Sequence, residues 1–329
     1  MLRAAIIGLG NWGRHLVSSV QGKSEKIRFV CCVAPTDAQP AYLAREGLRL
    51  YPDYPSALAD PEVDAVVVAT TNSQHVGHAI QAAEAGKHVF VEKPVALTRG
   101  SAAEMLDVCA ARKVTLAAGF NWRCHPAVRD LRRMVEQGAL GTLLHVEGNY
   151  SGPSGYRRPP GHWRSSATEN PAGGMASRGI HIADLMIAMF GEIERLTASS
   201  VRRALERDID DTTSALLNFR NGMTGYLATM MATAELWRLH VFGAKGWAEL
   251  RFIEHLPRFE LASCTIDGPL EVHGYPAVNI EHAELEAFAD AVRSALPCVV
   301  PRREVLHGVA VFEAIAASAA RDNSWLRID

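Results

Sequence analysis

A glycine-rich turn within the first thirteen residues limits what this chain can fold into. Residues 4–7 (AAII) form an apolar run typical of a buried strand, and they lead directly into the sequence GLGNWG. In such a turn the first glycine permits a tight bend, the second lets the backbone approach a pyrophosphate, and the third lets the next helix pack on the sheet. The helix N-terminus then points at the phosphates. The pattern predicts a dinucleotide-binding turn made by Gly8, Gly10, Asn11, Trp12 and Gly13.

The first 120 residues alternate apolar runs with helical patterns. Strands are predicted at residues 4–7, 27–33, 65–69, 88–92 and 114–118, and helices at 14–20, 40–46, 75–85 and 101–112. Ser101 and Glu104 have the spacing of a capping box near the start of the last helix. Apolar runs such as residues 65–69 suit strands covered on both faces. We therefore expect an α/β fold whose first domain, residues 1–120, is a Rossmann-type doubly wound parallel sheet that binds NAD(P).

The pattern changes after residue 120 and predicts a second, α+β domain over residues 121–329. A helix (126–136), a strand (143–150), an irregular stretch (151–172), a helix (179–190) and two closing helices (280–295 and 302–321) are expected. Asn221-Gly222 marks a hairpin between residues 213–219 and 223–229. We expect a large open, mainly antiparallel sheet, with residues 151–172 as a wall of the active site. The helix at 302–321 is expected to pack back on the first domain.

Net charge and cysteine usage favour a cytoplasmic enzyme that acts on small molecules. The formal net charge is -2, which gives no general attraction to nucleic acid or an anionic membrane. No apolar run is long enough to span a membrane, and the chain starts with a strand rather than a signal segment. Six scattered cysteines show no C-x-x-C spacing, so we expect neither a bound metal nor a disulfide framework.

Two short motifs carry candidate catalytic groups. Lys93 follows Glu92 and precedes Pro94 where a parallel strand is predicted to end, which is the edge where ligands bind in open α/β sheets. His181 and Asp184 are three residues apart on one predicted helix face, so the carboxylate either orients the imidazole or joins it in holding a polyol. Each motif alone is also compatible with a loop lysine or an ordinary helix surface.

Together, the motifs resemble those of the Gfo/Idh/MocA oxidoreductases, the family of glucose–fructose oxidoreductase and inositol dehydrogenase. They occur in order along the chain: GLGNWG (8–13), TTNSQH (70–75), EKP (92–94), GFNWR (119–123), and GG (173–174) leading to GIHIAD (179–184). The resemblance implies hydride transfer between NAD(P) and a hydroxyl or carbonyl carbon of a sugar, cyclitol or related polyol. It makes Lys93 and His181, with Asp184, the catalytic candidates. It places Thr70, Thr71, Asn72, His75, Glu92 and Lys93 beside the cofactor.

Two departures from the family pattern leave details open. Ser177 stands where many sugar-oxidising members have an aspartate, which removes one carboxylate near His181. Arg178 beside it either favours an acidic substrate or pairs with a local carboxylate. No acid stands at the tip of the second strand to bind a ribose 2′-OH, because Asp37 lies slightly beyond it. Arg14 either reaches a 2′-phosphate or is a solvated residue, so the cofactor is NAD or NADP.

Further candidates surround the predicted pocket. Trp163 either stacks on a sugar ring or anchors its loop, and Arg164 is a candidate for binding hydroxyls or a carboxylate. Residues 208–211 (DIDD) resemble a metal-binding cluster but lack the glycine and distal glutamate of a calcium loop, so a solvated turn is expected. Residues 237–240 (WRLH) indicate only strand alternation. The expected substrate-binding residues are Asn121, Arg123, Trp163, Arg164, Ser177 and His181.

The same sequence is compatible with two other kinds of function, and it predicts that copies of the chain form an oligomer. The nicotinamide either serves transiently in an elimination such as glycoside cleavage, or the chain is an NAD(P)-dependent sensor without catalysis. Residues 223–231 carry apolar side chains on both alternating faces, with Leu227 and Met231 on one and Tyr226 and Met230 on the other. Because a solvated sheet face alternates with polar residues, we expect a homodimer or homotetramer formed through this sheet.

Overall fold

The protein is described by a computed structural model over residues 1–34, 40–159, 161–253, 258–294 and 296–328. These residues form two compact units. The first comprises Met1–Asn121 and Asn279–Leu306, and the second comprises Trp122–Val278 and His307–Asp329.

The first unit contains a six-stranded parallel sheet in the order β3-β2-β1-β4-β5-β6. Its strands are β1 (Leu2–Ile7), β2 (Ile27–Val33), β3 (Arg49–Tyr51), β4 (Ala65–Val68), β5 (His88–Glu92) and β6 (Leu116–Gly119). All neighbouring strands run parallel, as expected for a doubly wound sheet. The order reverses between β1 and β4, so their carboxyl ends form the crevice where such folds bind ligands. This confirms the predicted Rossmann-type sheet.

The helices of this unit cover the sheet on the connections between strands. They are α1 (Asn11–Val20), α2 (Pro40–Glu46), α3 (Tyr54–Ala59), α4 (His75–Glu84), α5 (Arg99–Ala111) and α8 (Ile280–Ser294). One core cluster joins Ile6, Leu16, Phe29 and Phe90, each at most 1% exposed. Helix α5 is capped by Thr98, whose hydroxyl accepts from the Ser101 N–H at 3.3 Å. The helix therefore begins before the capping box predicted at Ser101.

A late segment of the chain belongs to this first unit. Leu285, Phe288 and Ala289 of α8 are at most 2% exposed and lie in the same core cluster as the N-terminal strands. Phe288 also lies 5.7 Å from the ring of Phe90 in β5. The sequence analysis placed all residues after 120 in the second domain. It expected the helix at 302–321 to pack back on the first domain. In the structure that helix is α9 (Arg302–Ala319), and the second unit begins again at His307.

The second unit contains a nine-stranded sheet in the order β14-β13-β12-β11-β7-β10-β9-β8-β15. Its strands are β7 (Leu143–Ser151), β8 (Ile193–Val201), β9 (Thr212–Phe219), β10 (Thr224–Met230), β11 (Leu236–Gly243), β12 (Gly246–Ile253), β13 (Arg258–Thr265), β14 (Leu270–Tyr275) and β15 (Leu326–Arg327). Among these neighbours β10 and β7 pair in parallel, and the other pairs are antiparallel. The predicted large, mainly antiparallel sheet is confirmed, including its hairpin at Asn221-Gly222.

One face of this sheet is buried and the other is partly exposed. Trp237 and Leu239 of β11 are fully buried, whereas Arg238 and His240, which alternate with them, are half-buried. The buried face carries α6 (Pro126–Glu136) and α7 (Ile180–Phe190). The alternation predicted for residues 237–240 is therefore confirmed as ordinary strand geometry. Over the described residues, no helix is both long and apolar enough to cross a bilayer.

Candidate active site

The turn after β1 has the shape that a pyrophosphate requires. Gly8 has a φ of +94°, and a Cβ at that position would lie 2.6 Å from the Ala69 carbonyl oxygen that follows β4. A Cβ on Gly13 would collide with the carbonyl oxygen of Gly8, whereas the space next to Gly10 is open. Helix α1 begins at Asn11, and its N-cap is Gly10, which has no side chain to cap the first N–H groups. These groups fit a dinucleotide phosphate.

The loop after β4 is tied to the turn after β5 by a buried histidine. His75 is 1% exposed, and its Nδ1 lies 2.8 Å from the carbonyl oxygen of Pro94. Its Nε2 lies 3.3 Å from the carbonyl oxygen of Thr70. The Thr70 hydroxyl is 3.2 Å from Nδ1 of His78. Asn72 is buried and Thr71 half-buried. His75 therefore holds together the two backbone segments that carry the candidate cofactor residues.

Glu92 ends β5 as a buried carboxyl group beside Lys93. It is 4% exposed, and burial raises its pKa to about 7, although the neighbouring Lys93 charge and the indole of Trp12 act in the opposite direction. The N–H of Lys93 lies 3.2 Å from Oε2 of Glu92. Lys93 is half-buried, and its peptide bond to Pro94 is cis. The turn thus places an ammonium and a carboxyl group together at the carboxyl edge of the sheet.

A half-buried carboxylate, Glu281, also lies in this unit and was not found by sequence reasoning. Asn121, expected to bind substrate, donates from Nδ2 to Oε1 of Glu281 at 2.8 Å. Nε2 of His15 lies 3.5 Å from Oε2 of the same carboxylate. Burial acts to raise the pKa of Glu281, but the bonds from His15 and Asn121 outweigh it and lower the pKa. Residues 15, 121 and 281 are too far apart in sequence for any local pattern to connect them.

In the second unit, Asp184 is held by an arginine that sequence analysis had placed against the substrate. Arg123 donates from Nη2 to Oδ1 of Asp184 at 2.6 Å and from Nε to Oδ2 at 2.8 Å. Both side chains are at most 6% exposed, so this is a buried bidentate ion pair. The pair fixes α7 to the turn at Asn121–Cys124. The sequence analysis expected Asp184 to orient the imidazole or join it in holding a polyol, and it expected Arg123 to bind substrate. It did not predict the ion pair between these two residues.

His181 lies in the first turn of α7, close to the sheet. It is 6% exposed, and its ring centroid is 6.1 Å from that of Tyr150 in β7. A Cβ on Gly148 would collide with Ile182, so this glycine lets α7 lie directly on β7. The helix is preceded by a π-helical turn, Met175–Gly179, that contains Ser177. The Ser177 hydroxyl donates to the carbonyl oxygen of Gly174 at 3.4 Å.

Arg178 pairs with a local carboxylate, which was one of the two alternatives for it. Its Nη1 lies 2.6 Å from Oε1 of Glu235 and donates to the carbonyl oxygen of Ser151 at 2.9 Å. Its guanidinium also lies 4.7 Å from the ring centroid of Tyr150. Arg178 is thus connected through Tyr150 to His181.

The irregular segment after β7 borders a cavity of about 840 Å³ within the second unit. Trp163 lines it, and the guanidinium of Arg164 stacks at 4.4 Å from the centroid of that ring. The opposite wall includes Leu205 and Arg207. Asp211 supports this wall by accepting backbone N–H groups from residues 203–205 at 2.7 to 3.0 Å. Asp211 is 1% exposed, so the acidic cluster at 208–211 is not simply a solvated turn.

Two sequence candidates for cofactor choice have different outcomes. Arg14 donates from Nε to the carbonyl oxygen of Leu9 at 3.1 Å, and its guanidinium lies 5.8 Å from the Tyr42 ring centroid. Asp37 lies outside the described residues. Asn11 is exposed at the start of α1, and Trp12 packs at 5.1 Å from the ring of His15.

The fold and the glycine turn define a dinucleotide-binding protein of the Rossmann type, and comparison with known proteins identifies its family. A model described as an oxidoreductase family with an NAD-binding Rossmann fold, GFO/IDH/MocA, matches residues 2–120. The C-terminal domain model of the same family matches residues 128–249. The chain belongs to the GFO/IDH/MocA oxidoreductases. It is an NAD(P)-dependent dehydrogenase or reductase, as the resemblance of its motifs predicted.

Relatives of this chain include enzymes named for sugars. The levoglucosan dehydrogenase of Pseudarthrobacter phenanthrenivorans is 29% identical over 197 residues, covering 53% of this chain and 50% of that protein. The D-xylose 1-dehydrogenase (NADP(+)) 2 of Haloferax volcanii is 27% identical over 322 residues, covering 95% and 96%. A solved levoglucosan dehydrogenase in complex with NADH and levoglucosan has a TM-score of 0.89 at 22% identity, with 99% of each chain covered. That structural likeness supports the fold.

We expect Glu92→Gln to flatten the pH dependence of stability. The folded pKa of about 7 lies above the ordinary value of 4.5, so folded protein binds the extra proton between these values and stability declines as pH rises through them. Because glutamine cannot ionise, the variant should be the more stable protein at about pH 8.

Chemical unfolding at about pH 5 and about pH 8 measures this change in the free energy of unfolding. Glu84→Gln, on the exposed surface of α4, serves as the control and should follow the parent protein. Parallel pH profiles for the parent and Glu92→Gln would contradict the assigned protonation.

Proposed function

We propose that the enzyme transfers a hydride between NAD(P) and a hydroxyl or carbonyl carbon of a sugar, cyclitol or related polyol. The observation that carries this proposal is the position of Lys93. It directly follows β5 at the carboxyl edge of the sheet that holds the glycine turn, with the buried Glu92 beside it. Relatives named as levoglucosan and xylose dehydrogenases support the substrate class.

The cofactor is held in this proposal by the first unit. The N–H groups of α1 and the open space at Gly10 receive the pyrophosphate. Thr70, Thr71, Asn72 and the backbone fixed by His75 lie along the ribose and nicotinamide. When bound, the nicotinamide accepts or supplies the hydride. Assays with both cofactors measure whether the enzyme prefers NAD or NADP.

The proton is handled by side chains of this chain. In oxidation, His181 accepts the hydroxyl proton at an imidazole nitrogen while the same carbon loses its hydride and becomes a carbonyl. Lys93 orients the hydroxyl and stabilises negative charge that develops on its oxygen. The reverse assignment exchanges these two roles. Asp184 is a positioning residue in this scheme, because its carboxylate is engaged by Arg123 and holds α7 in place.

A panel of sugars, cyclitols and sugar acids assayed with both cofactors tests the proposal. Oxidation should give a net rise in reduced nicotinamide absorbance with stoichiometric carbonyl product. Product formation without net absorbance change would instead assign a transient redox role in elimination. Saturable cofactor binding with no turnover of any panel member would assign a sensor.

Lys93→Met should retain dinucleotide affinity and lower turnover by roughly 10²-fold or more. Methionine keeps most of the side-chain volume but removes the ammonium that contacts substrate. Steady-state kinetics and fluorescence titration with NADH separate the two effects. Lys23→Met, at an exposed turn, is the matched control. Oxidation by Lys93→Met at a rate near that of the parent would exclude the lysine from catalysis.

His181→Asn should remove the acidic limb of the pH profile for oxidation. A general base must be neutral to accept a proton, and an ordinary imidazole titrates near pH 6.5, so the rate should fall as pH drops through that region. The variant should also be slower while binding cofactor normally. His273→Asn, on an exposed strand, is the control. An intact rate with an unchanged profile would assign the base to Lys93.

We further propose that the enzyme assembles through the exposed face of the nine-stranded sheet. Tyr226 and Leu216 pair across β10 and β9 and are 37% and 50% exposed, while Leu227 and Met231 are fully buried. Phe242 and Trp247 pair on the same face and are half-buried. Exposed apolar side chains on a sheet face favour a symmetric homodimer or homotetramer.

Light scattering at micromolar concentration should give a mass that is a multiple of 35.8 kDa. Adding charge at the centre of the face, as in Tyr226→Glu combined with Leu216→Glu, should shift the protein toward monomer. Glu271→Gln on the edge strand β14 is the control for a general surface change. A parent protein found only at 35.8 kDa would refute this assembly.

A further inference from the structure

The last residue of β2 and the residue that follows it carry no carboxylate. In Rossmann folds an acidic residue after the second strand binds the ribose 2′-OH of NAD, whereas a nearby arginine accommodates the 2′-phosphate of NADP. Strand β2 ends at Val33, and Ala34 follows it. The Gly8 N–H donates to the carbonyl oxygen of Val33 at 3.1 Å, so this strand end adjoins the glycine turn. Neither Val33 nor Ala34 has a side-chain acceptor for a ribose hydroxyl.

Arg14 is fixed beside the same turn. It lies in the first turn of α1, where its N–H donates to the carbonyl oxygen of Gly10 at 3.0 Å. Its side chain is half-buried, and Nε donates to the carbonyl oxygen of Leu9 at 3.1 Å. That bond engages Nε and not the two terminal amino groups of the guanidinium. Among the residues that the structure describes, no carboxylate lies within ion-pair distance of Arg14.

The ring of Tyr42 supports this guanidinium from α2, the helix that follows β2. Tyr42 is 9% exposed, and its hydroxyl donates to the carbonyl oxygen of Arg14 at 3.4 Å. The Arg14 guanidinium lies 5.8 Å from the centroid of the ring, within the range of a cation–π contact. Leu9 and Tyr42 belong to the core cluster of the first unit, and Ala34 packs against it. Packing therefore holds Arg14, the glycine turn and the end of β2 together.

Two carboxylates in this part of the unit are already engaged. Glu46 ends α2, and its Oε1 lies 2.8 Å from Nε of Arg45. Asp53, which follows β3 on the same edge of the sheet, accepts a backbone N–H of α3 at 2.8 Å and caps that helix. The Arg45 guanidinium lies 5.1 Å from the Tyr42 ring centroid, so a second cation contacts the same ring. Arg45 is paired with a carboxylate, whereas Arg14 is not paired with any carboxylate in the described parts of the chain.

We infer that the first unit binds NADP in preference to NAD, and that Arg14 binds the 2′-phosphate. The inference rests on the proposed dehydrogenase function and selects between its two cofactors. A phosphate accepts charge-assisted hydrogen bonds from the terminal amino groups of Arg14, and the Tyr42 ring and the Leu9 carbonyl group keep the guanidinium in place. The 2′-OH of NAD meets no acceptor at Val33 or Ala34, so NAD gains no compensating contact there.

Fluorescence titration of the full-length protein measures this preference without any substrate. The dissociation constant of NADPH should be about tenfold or more below that of NADH. Displacement of bound NADPH isolates the 2′-phosphate, because adenosine 2′,5′-bisphosphate should compete about tenfold or more better than 5′-AMP. NADH that binds as tightly as NADPH overturns the inference, and so does equal competition by the two adenosine nucleotides.

Substitution of Arg14 tests the residue itself. Arg14→Gln should weaken NADPH binding by about tenfold or more and leave NADH binding unchanged, and Arg14→Lys should recover part of the loss. Arg45→Gln is the matched control, because it removes the same charge from the same ring at an exposed position that is paired with Glu46. It should leave the ratio of the two dissociation constants unchanged. Equal effects of Arg14→Gln and Arg45→Gln would show general charge attraction and overturn the assignment of Arg14.

The converse variant tests the same site with Arg14 in place. Ala34→Asp adds a carboxylate after β2, which repels a 2′-phosphate and accepts a hydrogen bond from a ribose 2′-OH. It should weaken NADPH binding by about tenfold or more and shift the preference toward NADH. NADH titration reports whether the variant still folds, since NADH binding should be retained or improved. An unchanged ratio of the NADPH and NADH dissociation constants in Ala34→Asp would contradict the inference.

Binding and turnover together separate this inference from the proposed function. Preferential NADPH binding without turnover of any panel member supports the inference while the dehydrogenase assignment fails. Turnover by a protein that binds NADH as tightly as NADPH, or more tightly, supports the dehydrogenase assignment while the inference fails. A protein that binds neither dinucleotide contradicts both.

Discussion

The close approach of two backbone segments at the carboxyl edge of the parallel sheet underlies the rest of the site. Gly8 lies against the carbonyl group of Ala69, and Gly13 lies against that of Gly8. A side chain at either position would separate β1 from β4 or lift α1 from the sheet. The same edge then carries the Lys93 turn, which His75 holds to Thr70 through two carbonyl groups. Cofactor geometry therefore depends on packing that only glycine allows.

Buried charge is the second constraint, and it is compensated differently at Asp184 and at Glu92. Asp184 and Arg123 satisfy each other in a bidentate pair, so removing either would leave an uncompensated charge, which typically costs 3–5 kcal/mol. Glu92 lies beside Lys93 and Trp12, but burial outweighs their effect and raises its pKa to about 7. A paired group fixes geometry, whereas a group that titrates near neutral pH is available to exchange a proton.

Local pattern located most of the longer elements, but it missed the short β3 and α3 and the partners of the site residues. Apolar runs located β2 and β5 to the residue, and Asn221-Gly222 located the hairpin, because strand burial and turn geometry are encoded within a few residues. The link between Asn121 and Glu281 spans 160 positions, and Arg123 with Asp184 spans 61. Such pairs arise from tertiary packing, so a residue predicted to face substrate can instead be occupied by a distant carboxylate.

Arg178 and Arg158 differ in how they bear on the alternative of an acidic substrate. At the sequence level Arg178 was the candidate for such a substrate, yet Glu235 neutralises it. Arg158 lies among the same arginines, donates to a carbonyl group, and has its pKa lowered by every neighbour that acts on it. A guanidinium that is already paired gains little from an anionic ligand. The pairing with Glu235 therefore favours the local carboxylate, and not an acidic substrate, as the partner of Arg178.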